Sequence, residues 1–170
     1  MKRNDWVALC CALCWLAPLS QAASPDVTLK DPQGKAHHFS EYIGKGQWTI
    51  LVVWGPRCPP CIEEMPELQG FHDDYHKDRA MVLGVAVDFP SFGQAKQTEV
   101  AKFTQDYFIT FPVLLGSAET FTRFGGADLL GVPTTLIYDP RGAIVVRQTG
   151  SVSRDMIERF IAQSEAEAGK

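Results

Sequence analysis

The apolar run Trp48 to Trp54 (WTILVVW) breaks at Gly55 and Pro56, and beyond Cys58-Pro59-Pro60-Cys61 the pattern changes period. From there Ile62, Met65, Leu68, Phe71, His72 and Tyr75 recur at spacings of three and four. The run predicts a buried strand, and the spacing predicts one helix from about Pro59 to Tyr75, kinked by Pro66. A second strand is expected at Ala80 to Asp88, a loop at Phe89 to Gly93, and an amphipathic helix at Ala95 to Phe108 burying Val100, Phe103 and Tyr107. Phe111 to Leu115 reads as a short strand, and Ala118 to Phe124 as a helical turn stopped by Gly125 and Gly126.

Gly131 to Tyr138 reads as a strand with Pro133 at its entry, joined by the Asp139-Pro140-Arg141-Gly142 turn to Ala143 to Arg147. Ser153 should cap a last helix burying Met156, Ile157, Phe160 and Ile161, with Ser164 to Lys170 as a frayed end. Upstream, Asp31-Pro32-Gln33-Gly34-Lys35 turns between Val27–Leu29 and Ala36–Phe39, an N-terminal hairpin. Ser40 is expected to cap a short helical turn ended by Gly44 to Gly46. Strands and helices alternate with no repeat or linker, which predicts a single α/β domain with a central mixed sheet flanked by helices.

Residues 1–22 fall outside that domain. Lys2 and Arg3 precede an apolar segment, Trp6 to Leu19, and Ser20-Gln21-Ala22 offers small residues for cleavage. The segment is shorter than the about 20 residues of a spanning helix, so a cleaved signal peptide is expected, with residues 23–170 as the mature domain and a periplasmic location. An uncleaved membrane tether is the alternative. Cys10 and Cys14 follow leucines, not the small residues of a lipidation signal.

Cleavage reduces five cysteines to two, Cys58 and Cys61. An exported chain with one close CxxC pair and no other cysteine is expected to use it catalytically. The mature length, about 148 residues, buries enough surface to fold without a staple. The net charge is −4, and no basic cluster lies outside the leader, so no nucleic-acid partner is expected.

A thiol attacks only as thiolate, and a helix N-terminus favours that anion through unpaired N–H groups and the macrodipole. Cys58 faces that field. Pro59 and Pro60 remove donors but preorganise the turn, and Arg57 adds a cation beside the thiol. Cys61, one turn deeper, is expected to be less exposed and to resolve the exchange. Glu64 shares its helical face and can handle its proton, whereas Glu63 and Glu67 complement the dipole.

Zinc binding by Cys58, Cys61, His72 and His76 is excluded by length, since Cys61 and His72 would stand roughly 16 Å apart on one helix. His72 and His76 are then helix-surface histidines. His37 and His38 point to opposite faces of a strand and serve as rim residues.

The WGPRCPPC segment, Pro66, Val132-Pro133-Thr134 and the closing IYDPRGAIVVRQTG stretch resemble the exported TlpA- and ResA-like thiol–disulfide oxidoreductases of the thioredoxin superfamily. The resemblance covers nearly all of the mature chain and implies a thioredoxin-like fold with a central insertion, here Phe89 to Gly126. It implies Cys58 as nucleophile and Cys61 as resolving thiol, with a redox-active disulfide and no other cofactor. It also implies a cis Pro133 against the cysteines, with Val132, Pro133 and Thr134 receiving the substrate chain.

Val52 stands where thioredoxin has its buried aspartate, and Arg57 where many relatives carry tryptophan. Glu64 matches an acidic position of the family. The implied partners are disulfide- or thiol-bearing exported proteins, of the apocytochrome c or metal-centre assembly type, and a membrane-bound electron donor. A disulfide oxidase or isomerase, or a Cu(I) chaperone using the same cysteines, are the alternatives. A peroxiredoxin-like peroxidase needs a hydroxyl residue three positions before the cysteine, where this chain has Gly55.

Overall fold

The computed structural model describes residues 27–125 and 127–169; the expected leader with Cys10, Cys11 and Cys14, and Gly126, lie outside the described residues. β1 (Thr28–Lys30) and β2 (Ala36–His38) form the expected hairpin, followed by β3 (Trp48–Trp54), α1 (Pro59–Tyr75), β4 (Ala80–Ala86), α2 (Gln97–Asp106) and β5 (Val113–Leu115). Then come α3 (Ala118–Gly125), β6 (Thr134–Tyr138), β7 (Ile144–Thr149) and α4 (Arg154–Ala168). The seven strands make one mixed sheet in the order β2-β1-β5-β4-β3-β6-β7. β3 lies at its interior, parallel to β4 and antiparallel to β6, and every residue of β3 is buried. That is why its sequence is apolar without alternation.

The sheet divides the core into two layers. Ile50, Val52 and Trp54 of β3 meet Met65, Leu68 and Phe71 of α1, Val100 and Phe103 of α2, and Ile157 and Ile161 of α4. Leu51 and Val53 face the other layer with Phe39, Leu83, Phe121 and Leu136. The segment expected as an insertion supplies α2, β5 and α3, and β5 joins β4 to β1.

Several expectations are corrected. The short helical turn is a 3-10 turn, Phe39–Glu41, and Ser40 lies inside it rather than capping it. Glu41 Oε1 folds back to accept from His38 N–H (2.9 Å), which starts the turn earlier. β6 starts at Thr134, beyond the cis Val132–Pro133 bond, and β5 at Val113, because Pro112 has no N–H for a ladder. Met156 is 47% and Tyr107 45% exposed. Ile157 and Ile161 carry the inner face of α4, while Tyr107, past the end of α2, stacks on Phe103 at 4.1 Å.

The tail is helical to Ala168 because Glu165 is anchored, accepting from Trp48 Nε1 and pairing with Arg79. Ser153 does cap α4, its hydroxyl accepting from Met156 N–H. His72 is buried, not on the surface: its Nδ1 accepts from Val82 N–H (3.2 Å), tying α1 to β4, and burial lowers its pKa to about 4.

Candidate active site

The site forms where β3 hands over to α1. Cys58 N–H donates to the Gly55 carbonyl (3.0 Å), closing the turn, and Cys58 then occupies the N-cap of α1 with extended backbone. Pro59 and Pro60 take the first helical positions, where a missing N–H breaks no intrahelical bond. Their rings leave Cys61 and Ile62 as the first helical N–H groups, and Ile62 N–H is spent on the Cys58 carbonyl (3.1 Å). The helix end therefore presents fewer free donors to Cys58 than an ordinary N-terminus would.

Cys58 and Cys61 are joined as a disulfide, their Cα atoms 5.3 Å apart. Both are fully buried, which corrects the expected difference in exposure. Ile62, Phe89 and Val132 pack against the core layer that contains them. The Cys58 sulfur lies 3.7 Å from the Val132 carbonyl oxygen, and the Val132–Pro133 bond is cis, as the resemblance implied. Thr134 Oγ1 donates to the Gly131 carbonyl (2.7 Å) and the Pro133 carbonyl accepts from Gly150 N–H (2.9 Å), so both flanks of this loop are fixed.

Glu64 is buried at 4% exposure. Its Oε2 accepts from Val152 N–H (3.1 Å) and its Oε1 has no partner. Burial raises its pKa from 4.5 to about 7, against the opposing effect of the Val152 bond. Val52 belongs to the core layer of the two cysteines, so β3 offers no carboxyl group at that position, and the buried carboxyl group of Glu64 is carried by α1. Glu67 has a role the sequence reading did not assign: it accepts from Arg154 N–H (3.0 Å) at the start of α4. With Glu64 it ties residues 152 to 154 to α1. The spacing of three between the two glutamates was the available signal.

Arg57 is half exposed and turned to carboxylates: Nη2 lies 2.5 Å from Asp88 Oδ1, and Nε 3.7 Å from Glu99 Oε2. The Ser91 hydroxyl foremost, with Arg57, holds the Asp88 carboxyl below its usual range. Arg57 thus joins the flank of the cysteine pair to the Asp88–Gly93 loop, whose Phe89–Pro90 bond is also cis. That second cis bond and Asp88 were not foreseen; an acidic residue at a strand end carries no signal of its distant partner. Gly55 has no room for a side chain, since a Cβ there would lie 2.8 Å from Phe89 Cβ and 3.2 Å from the Val87 carbonyl oxygen.

A CxxC disulfide at the N-terminus of the helix after a central strand, faced by a cis-proline loop, defines a thioredoxin-fold thiol–disulfide protein. The AhpC/TSA family model matches residues 21–147, and the chain belongs to that family. It is 31% identical over 140 residues to the thiol-disulfide oxidoreductase ResA of Geobacillus kaustophilus, covering 82% of this chain and 75% of that protein. Among solved structures it is similar to StoA from Bacillus subtilis, with a TM-score of 0.62, 26% identity and coverage of 82% of this chain and 98% of that one. A thiol:disulfide interchange protein from Chlorobium tepidum shares the fold, with a TM-score of 0.70 at 21% identity, covering 86% and 98%. The activity is that of a thiol–disulfide oxidoreductase.

Proposed function

We propose that this oxidoreductase works as an exported, periplasmic protein-disulfide reductase. A membrane-bound dithiol donor keeps it reduced, and its substrates are exported proteins of the apocytochrome c or metal-centre assembly type. The observation that carries the reading is the buried Glu64, three residues after Cys61 on α1, together with the Val132–Pro133 loop against Cys58. In the reduced protein the Cys58 thiolate attacks one sulfur of a substrate disulfide, and the other leaves as a thiolate. The Glu64 carboxylate takes the Cys61 proton, and the Cys61 thiolate then attacks the Cys58 sulfur. That step closes the Cys58–Cys61 disulfide and expels the substrate's second thiolate. The leader supports export, and the resemblance to TlpA- and ResA-like proteins supports the substrate class and the electron donor.

Two measurements test the reading. A Cys61→Ser variant expressed with its leader should trap exported proteins as mixed disulfides; if it traps none while the wild type binds Cu(I) tightly, the cysteines serve a metal chaperone. The Cys58–Cys61 potential should lie well below the about −120 mV of strong oxidants. A value there or above assigns the protein to disulfide formation.

A further inference from the structure

In β6, Leu136 and Tyr138 enter one core layer and Ile137 the other. Thr135, two positions from Ile137, therefore faces the layer of Cys58, Cys61 and α1, and it pairs directly with Val52 of β3. Thr135 is fully buried, yet its Oγ1 has no hydrogen-bond partner among the described residues. On the same side of the sheet Glu64 reaches from α1 toward the β7 end, bonded through Oε2 to Val152 N–H, and its Oε1 is likewise unpartnered. Only Trp54 Nε1 shares this condition among the described residues. A buried polar atom left unsatisfied costs about 1–3 kcal/mol, and valine would fill the place of Thr135 without that cost.

From these two unsatisfied oxygens on the side of the sheet that carries the dithiol, we infer that Thr135 is a positioning residue for proton transfer. Its hydroxyl and Glu64 Oε1 together hold a buried water that carries the Cys61 proton to and from the carboxyl group. The inference rests on the reading of Glu64 as the proton acceptor. In the forward step the Cys61 S–H bond breaks and its proton passes to the water. The water releases one of its own to Glu64 Oε1, so a thiolate forms as the carboxylate is neutralised. A buried water needs two to four polar partners, and the two oxygens with the Cys61 thiol supply three.

No neighbouring charge competes. Only desolvation and the Val152 bond perturb Glu64. On the same two helices, Arg154 is engaged by Asp74 and Glu158, and Glu67 by Arg154 N–H. A carboxyl group titrating at about 7 is able both to accept and to return a proton near neutrality.

The test uses reduced protein and an aromatic disulfide that releases a coloured thiolate. The first release reports attack by Cys58, and the second reports resolution by Cys61. Both are followed by stopped flow from pH 5 to 9 for the wild type, Thr135→Val, Thr135→Ser and Glu64→Gln. Thr135→Val should slow the second phase about tenfold near pH 7 and move its inflection upward. The first phase should stay within about twofold, and Thr135→Ser should restore the second. A Thr135→Val profile that superimposes on the wild type, while Glu64→Gln is slowed, overturns the role of Thr135 alone. If Glu64→Gln also superimposes, the acceptor reading falls and this inference falls with it.

Discussion

Glutamine at position 64 keeps the shape of the side chain and an acceptor for Val152 N–H, and removes the ionisable proton. The folded protein holds the Glu64 carboxyl at about 7, against 4.5 for an unperturbed glutamate. Below pH 4.5 both folded and unfolded chains are protonated there, and the group contributes no pH dependence. Between 4.5 and 7 the unfolded chain releases the proton while the folded one retains it, so stability falls as pH rises, by 1.36 kcal/mol for each unit of difference. Above pH 7 the loss levels off at about 3 kcal/mol.

Glu64→Gln escapes that loss. Its advantage over the wild type should be near zero at pH 4, grow through the window from 4.5 to 7, and reach about 3 kcal/mol at pH 8, a gain of about 6–12 °C in Tm for a domain of this size. Urea unfolding of the oxidised wild type and variant at half-unit intervals from pH 4 to 8.5 measures it. A difference that is constant with pH would refute the argument, because only a perturbed titration gives that slope.

Neutralising Asp88 as Asn removes the carboxylate closest to Arg57 and leaves the guanidinium freer to favour the Cys58 thiolate. The potential should rise by about 10 mV, and Arg57→Gln in the same protein should cancel the rise; equilibration with dithiothreitol and its disulfide reads it, and an unchanged potential counts against the coupling. Gly55→Ser forces a Cβ onto Phe89 and the Val87 carbonyl, so it should cost about 1–3 kcal/mol in urea. It should also confer no peroxide consumption, and a neutral substitution would show that the Asp88–Gly93 loop yields easily.

What the sequence determined by itself was local. The uninterrupted apolar run of β3, the three-and-four spacing of α1, the prolines after Cys58 and the Asp139–Gly142 turn each follow from periodicity or backbone restriction acting over a few residues, and the structure has them in place. Helix ends and faces were less legible, because anchors far along the chain decide them: Glu165 holds the end of α4 through Trp48 and Arg79, and His72 is drawn inward by Val82 N–H.

The site divides in the same way. The cysteine pair and the i,i+3 placement of Glu64 are written in one segment, and the family pattern pointed to Pro133. Only the folded chain brings Asp88 to Arg57, Val132 to the Cys58 sulfur and Val152 to Glu64. Only the folded chain withdraws Glu64 and Thr135 from water. Burial and long-range pairing set a carboxyl group's proton affinity, and neither quantity exists until the sheet has closed over the helix.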